Sequence, residues 1–342
     1  MNRAPLPPPP ATAPERSARV AGQRRVVVDV LTGADDRLLV VAGPCSVHDH
    51  QSTMEYVAGL AALARRHADD LYVVARVYPE KPRTRLGWPG MLLDPHMDGS
   101  HHVTDGIAAA RELMCAVVDA GVPVATEFVE PLLTGYVADL VAWAAIGART
   151  VESPSHRRLA SGLGLPVGFK NRTDGAVQPA IDAIDAAATP QPVFGLAASG
   201  RPQWWVSEGN PHCHLILRGG DRSTNHDPDS VADALRALAD RRPTPRLVVD
   251  CSHGNSRKDH RRQPEAAESV AAQVADGQAG IAGVMLESFL HEGNQPHSST
   301  PRPGLSVTDA CLSLEQTAPV LAGLAAAVRH RRHSAAGLLG VS

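Results

Sequence analysis

Eight short apolar runs recur along this chain, each long enough for one buried strand, and segments of helical length separate most of them. They include LLVVAG (38–43), LYVVAR (71–76), HLILRG (214–219), RLVVDC (246–251) and IAGVMLES (281–288). A run that is apolar at nearly every position suits a strand covered on both faces, and strand–helix alternation joins parallel strands through crossovers. The remaining strands are expected at 122–126, 145–150 and 166–169. Helices are expected at 53–67, 105–120, 132–144, 176–188, 228–241 and 264–276, with a last one near 313–332. Eight parallel strands suggest an α/β chain closed as a (β/α)8 TIM barrel, and 342 residues suffice for one such barrel with an N-terminal extension. The start, MNRAPLPPPPATAPERS, is rich in Pro and Ala. Residues 1–17 therefore read as a disordered arm of partly polyproline II character, 18–335 as a single barrel domain and 336–342 as a tail.

Composition removes several classes of function. A formal net charge of −3 offers no global attraction to nucleic acid or to an anionic membrane. No apolar stretch approaches the ~20 residues of a membrane helix, and the N-terminus lacks the apolar core of a secretory signal. Cys45, Cys115, Cys213, Cys251 and Cys311 are odd in number, scattered and without a CxxC pair. That argues against a disulfide framework and for a reducing, cytoplasmic setting.

Chemistry collects where the strands end. Cys45 follows the first, Arg76 ends the second and Thr126-Glu127 the third, while Arg149, Lys170 and Arg218 close the next three. Asp250, Cys251 and His253 close the seventh, and Glu287 the eighth. In a barrel these positions share the C-terminal mouth, where barrel enzymes keep their active sites. Arg76, Arg149, Lys170 and Arg218, with Lys81, Arg83 and Thr84 of EKPRT, form an anion-binding surface for more than one acidic group. Because the chain as a whole is not basic, this is a local pocket for small phosphorylated acids. Cys45, His253, Glu287 and Asp309 of SVTDAC supply one sulfur, one imidazole and two carboxylates. That mixture suits Mn, Fe, Co or Zn better than Mg or Ca. Singly, a free Cys is often plain packing and an Asp often a turn or helix cap. Together the four carry the metal reading.

The motifs AGPCSVHD, ARVYPEKPRTRLGWPG, DPHMDGS, ATEF, WAAIGART, GFKNRTDG, LRGG, VDCSHGNS, GVMLESFLHEGNQ and SVTDAC run in order from about 42 to 312. In them the chain resembles the type I 3-deoxy-D-arabino-heptulosonate 7-phosphate (DAHP) synthases. The resemblance implies a barrel that condenses phosphoenolpyruvate with erythrose 4-phosphate and releases phosphate, the first step of the shikimate pathway to chorismate and the aromatic amino acids. It implies Cys45, His253, Glu287 and Asp309 as ligands of a divalent metal ion. Arg76, Lys81, Arg149, Lys170 and Arg218 would be the phosphoenolpyruvate clamp, and Arg83 and Thr84 the grip on the aldose phosphate. Arg76, Lys170 and His253 are the expected catalytic groups. Lys170, desolvated among arginines, would either have a depressed pKa and relay a proton or serve as a plain phosphate contact. Inhibition by an aromatic amino acid and a homodimeric or homotetrameric state are further expectations. The chain departs from the family at Arg172, where glycine is usual, at Pro79, and over 195–212. The alternatives are another phosphoenolpyruvate–aldose phosphate condensing enzyme of a specialised pathway, a non-catalytic regulatory paralogue, and a class II aldolase. The KPRT motif and the cation set count against the octulosonate enzyme and the aldolase respectively.

Overall fold

The computed structural model describes residues 5–83, 85–241 and 244–339, the last five of these by backbone alone. Eight strands lie side by side and parallel: β1 (Leu38–Gly43), β2 (Leu71–Arg76), β3 (Val124–Glu127), β4 (Trp143–Ile146), β5 (Val167–Lys170), β8 (Cys213–Leu217), β9 (Leu247–Asp250) and β10 (Ile281–Phe289). Pairing of β10 with β1, Leu39 opposite Gly283 through Gly43 opposite Glu287, closes the barrel. The helices α1 (Pro14–Thr32), α2 (His50–Arg66), α3 (Val103–Asp119), α4 (Pro154–Gly162), α5 (Gln178–Ala187), α6 (Pro228–Ala239), α7 (Gln263–Ala275) and α8 (Leu314–Leu339) accompany them. A hairpin of β6 (Pro192–Leu196) and β7 (Pro202–Val206) forms a separate two-stranded sheet, and β11 (Leu312–Ser313) extends β10. No helix among the described residues is long and apolar enough to cross a membrane.

Side chains alternate faces along a strand, and here the alternation divides the core in two. Leu38, Val40, Val73, Val124, Phe169, Leu217 and Val249 face outward into the large core shared with the helices. Leu39, Val41, Val74, Ala125, Trp143, Ile216, Val248 and Met285 face inward and fill the barrel. Val27, Val30 and Leu31 of α1 join that inner cluster, so the N-terminal helix plugs one end of the barrel. Inside, Trp143 Nε1 donates to His214 Nε2 at 3.0 Å, and burial lowers the His214 pKa to about 4, which keeps the ring neutral.

Several elements differ from expectation. The helix expected at 132–144 is two 3-10 turns, Thr134–Tyr136 and Ala138–Leu140, and the fourth strand is Trp143–Ile146 rather than 145–150. The Ala/Leu spacing there is helical, but the strand must start early because Trp143 pairs with Ala125 of β3. Too little chain remains for a helix. Helix α4, and the β6–β7 hairpin that runs into the divergent 195–212 region, were not anticipated. Helix α1 begins at Pro14, whose fixed φ suits a first turn, so residues 14–17 of the expected disordered arm are helical. Residues ahead of it lie against the barrel flank: the Tyr136 hydroxyl donates to the Pro7 carbonyl, and Arg111 Nη2 donates to Thr12 Oγ1 at 2.6 Å. At the other end α8 runs to Leu339, through most of the expected tail, and 340–342 lie outside the described residues.

Candidate active site at the barrel mouth

On the barrel's inner face, six of the eight strands bring a polar group to the mouth end. Arg76 follows Tyr72 and Val74, Glu127 follows Ala125, Arg218 follows Ile216, Asp250 follows Val248, and Glu287 follows Met285. Period-two geometry therefore delivers these groups, with Lys170, to one layer at the mouth. Two glycines make room for them. A Cβ at Gly43 would stand 2.4 Å from the Arg76 carbonyl, and one at Gly147 would stand 2.5 Å from Glu127 Oε1.

The buried charges are paired across strands. Lys170 Nζ lies 3.5 Å from Glu127 Oε2 and 3.3 Å from Asp250 Oδ2. Arg76 Nη1 donates to Glu287 Oε1 at 2.8 Å and to the Pro44 carbonyl at 3.0 Å, with its guanidinium 3.9 Å from the Tyr78 ring centroid. Burial alone would lower the Lys170 pKa, but Asp250 and Glu127 outweigh it and hold it above the ordinary lysine range. The expected depression of the Lys170 pKa is therefore not found: Asp250 and Glu127 favour the charged ammonium. The same contest leaves both acids below their usual range: burial pushes Glu127 up but Lys170, Lys81 and Arg76 win, and at Asp250 His253 and Lys170 win.

Beside this layer, Cys45, Glu287 and Asp309 each bring one donor atom within 4.8 Å of the others. Lys81 Nζ stands 3.1 Å from Cys45 Sγ. Burial and the Glu287 charge push the Cys45 thiol up, so a thiolate there needs a cation stronger than Lys81 alone. His253 Nε2 is 3.7 Å from Glu287 Oε1, while its Nδ1 faces Asp250 Oδ2 at 2.9 Å and Ser252 Oγ at 2.7 Å. A carboxylate behind one ring nitrogen, with the other nitrogen turned to the donor cluster, is the usual setting of a metal-ligating histidine. His253 holds a positive φ of 55°, backbone strain of a kind concentrated at functional sites. The donor set fits a divalent transition metal.

A cavity of about 230 Å3 opens over both groups, lined by Arg76, Lys81, Arg83, Glu127, Arg149, Lys170, Arg218, His253 and Asp309. The expected anion-binding residues therefore converge on one space, except Thr84, which lies outside the described residues. Arg76 Nε is buried with no hydrogen-bond partner among the described residues, leaving a donor for a bound anion.

Residues 13–322 match the DAHP synthetase I family. The chain belongs to it. A Salmonella typhimurium protein named phospho-2-dehydro-3-deoxyheptonate aldolase, Tyr-sensitive, is 50% identical over 310 residues, covering 90% of this chain and 86% of that one. An Enterobacter agglomerans protein of the same name, Trp-sensitive, is 47% identical over 321 residues, covering 93% and 92%. The solved structure of phospho-2-dehydro-3-deoxyheptonate aldolase from Francisella tularensis SCHU S4 superimposes with a TM-score of 0.93 at 38% identity, covering 96% of this chain and 98% of that one.

Several residues at this mouth were not singled out for a role from sequence. Glu127 and Asp250 were noted only as strand ends, yet they flank Lys170. Asn171 accepts from the Arg218 backbone N–H at 2.8 Å and donates to the Gly219 carbonyl at 2.9 Å, which positions Arg218. Glu80, buried beside Lys81, accepts from the Glu130 N–H at 3.2 Å, and burial pushes its pKa up to about 8. The inward parity of the strands would have found Glu127 and Asp250. Arg172, the sharpest departure from the family, pairs with Glu152 at 3.3 Å and Asp174 at 2.7 Å on the exposed rim.

Proposed function

We propose that this chain is a 3-deoxy-D-arabino-heptulosonate 7-phosphate synthase, joining phosphoenolpyruvate to erythrose 4-phosphate and releasing phosphate. The convergence of Arg76, Lys81, Arg149, Lys170 and Arg218 beside the Cys45–Glu287–Asp309 cluster carries this reading. In it Arg76, Lys81, Arg149, Lys170 and Arg218 bind the phosphate and carboxylate of phosphoenolpyruvate, and Arg83, with Thr84, grips the aldose phosphate. Arginine forks match both anions bidentately. Cys45, His253, Glu287 and Asp309 hold Mn, Co, Fe or Zn, which when bound supplies Lewis acidity toward the aldehyde oxygen.

The remaining chemistry falls to the fixed charges. C3 of the enol phosphate bonds to the aldehyde carbon, water adds at C2, and phosphate leaves the tetrahedral centre to give the ketone. Lys170, kept charged by Glu127 and Asp250, holds negative charge as it moves from enol phosphate to leaving group. Pre-paired cations of this kind need no reorganisation during the reaction. Glu127, an ionised acid 3.5 Å from Lys170 that lines the cavity, takes a proton from the entering water, and that proton passes to the aldehyde oxygen as it becomes a hydroxyl.

Purified protein given phosphoenolpyruvate and erythrose 4-phosphate should release phosphate, and chelator should stop the release until Mn2+ or Co2+ is added. Release with a different aldose phosphate only would move the assignment to a sister condensing enzyme. No release with any would leave a binding paralogue.

Regulation and assembly belong to the same reading. A cavity of about 660 Å3 is lined by Leu132, Leu159, Phe194, Arg158, His156 and Gln203. Apolar walls with one guanidinium suit an aromatic amino acid, and calorimetric titration with phenylalanine, tyrosine and tryptophan tests it. Phe194, Trp204 and Val206 on the hairpin outside the barrel are 62%, 67% and 62% exposed. We assign this face to self-association as a dimer or tetramer, to be checked by light scattering.

A further inference from the structure

Away from the mouth, a second group of metal-competent donors stands at the start of α3. His96 lies on the connection from β2, His102 is the N-cap residue of α3, and Asp105 is in its first turn. One donor atom from each lies within 4.8 Å of the others. His96 belongs to the DPHMDGS motif, whereas His102 and Asp105 lie beyond it.

The spacing is longer than that of direct hydrogen bonds. His96 Nε2 is 3.5 Å and His102 Nδ1 3.7 Å from the same oxygen, Asp105 Oδ2. Hydrogen bonds between such groups close to about 2.7–3.2 Å. Ligand atoms held about 2.1 Å from a tetrahedral zinc stand about 3.4 Å apart, close to the observed edges. The rings are edge to face, with centroids 5.4 Å apart. All three side chains are more than half exposed, so water can fill the remaining coordination positions.

The backbone that aims them is held from within. Buried Asp94 accepts from the N–H groups of Gly99 at 3.1 Å and His101 at 3.4 Å, and its carbonyl accepts from Trp88 Nε1 at 2.8 Å. Met97 and His101 take positive φ values of 58° and 53° within this turn. Ligands on a braced turn lose less freedom on binding than ligands on a loose one.

We propose that His96, His102 and Asp105 form a second divalent-cation site, separate from the Cys45 cluster and selective for imidazole-preferring ions such as zinc, nickel and copper. Two imidazoles and one carboxylate, with no thiolate, favour these ions over Mg or Ca. The β2–α3 connection also carries Lys81 and Arg83.

The test uses untagged, chelator-stripped full-length protein and the metal alone. Zinc bound per chain is counted after desalting for the wild type, the His96→Ala/His102→Ala double variant and Cys45→Ser. The expected counts are two, one and one. Copper(II) on Cys45→Ser should show paramagnetic resonance couplings from two imidazole nitrogens, lost when the double substitution is added. Asp105→Asn should weaken this site at least tenfold, and phosphate release by the double variant should stay within twofold of wild type. If the Cys45 reading fails instead, the wild type binds one zinc and the double variant none, which leaves this proposal standing. Unchanged zinc stoichiometry and copper spectrum in the folded double variant would overturn it.

Discussion

Lys170 and Arg172 stand two residues apart at the end of β5, yet the first side chain is 4% exposed between Glu127 and Asp250, and the second is 40% exposed between Glu152 and Asp174. Both are cations with two acidic partners. What separates them is the medium. At the mouth floor a charge is removed from water, so its partners are obligatory, and removing one leaves an uncompensated buried ion. On the rim, water and salt screen the same pairing until it contributes about 0–1 kcal/mol. A substitution at 172 is thus expected to cost little, while the floor assembles its charges as a set.

The largest test of this contrast is Lys170→Met. It leaves Glu127 and Asp250 buried without their common partner, so unfolding free energy should fall by about 3–5 kcal/mol, and phosphate release by about a thousandfold or more. A loss in urea titration below about 1 kcal/mol would show that the floor behaves like the rim.

Cys45→Ala separates charge from packing. Metal retention after desalting should be lost, and activity should fall about a thousandfold. Stability of the metal-free protein should change little, because deleting one small buried group leaves only a modest cavity. Full activity in rigorously metal-free wild type would break the assignment of the cluster.

A third test follows the acid that lacks a cation. Glu80 has its pKa raised to about 8 by burial, against an ordinary 4.5, so the folded state binds the extra proton between those values. Stability should decline as pH rises through about 4.5 to 8, by a few kcal/mol in all, and level off above. Glu80→Gln should flatten this slope. Glu127 and Asp250 act in the opposite sense: their depressed pKa values give stability that is full above about pH 4–5 and lost as pH falls further. A profile of thermal midpoints against pH in both proteins checks the two directions together.

Between floor and rim, Arg218→Ala should raise the KM for phosphoenolpyruvate about 10–100-fold, and Arg83→Ala should do so for the aldose phosphate. Equal effects of both variants on both substrates would undo the division of the pocket. The smallest effect is expected at the rim itself. Arg172→Gly should leave the phosphoenolpyruvate KM within about threefold, under roughly 1 kcal/mol, with an unchanged ranking of aldose phosphates. A changed ranking would bring Arg172 into the pocket.

Much of this protein is legible in one dimension because its governing periods are short. Apolar runs of strand length and Ala/Leu segments of helical spacing identify all eight barrel strands and most of the outer helices, since both patterns are set by neighbours within a few residues. The polar groups at the strand ends are equally visible, and the motifs around Cys45, His253, Glu287 and Asp309 connect them to a family. Tertiary structure decided what depends on partners distant in the chain. The Ala/Leu segment ahead of Trp143 is not a helix because β4 must begin where Ala125 of β3 can pair with it. The segment that ends at Leu31 closes the barrel only because Leu39, Val41 and Val74 leave an apolar opening there. Lys170 remains charged because Glu127 and Asp250, 43 residues before it and 80 after it, reach it from β3 and β9, each two strands away from β5 around the barrel wall. Local sequence determines which way a side chain alternates, but the field it meets is the sum over strands that only the closed barrel brings together.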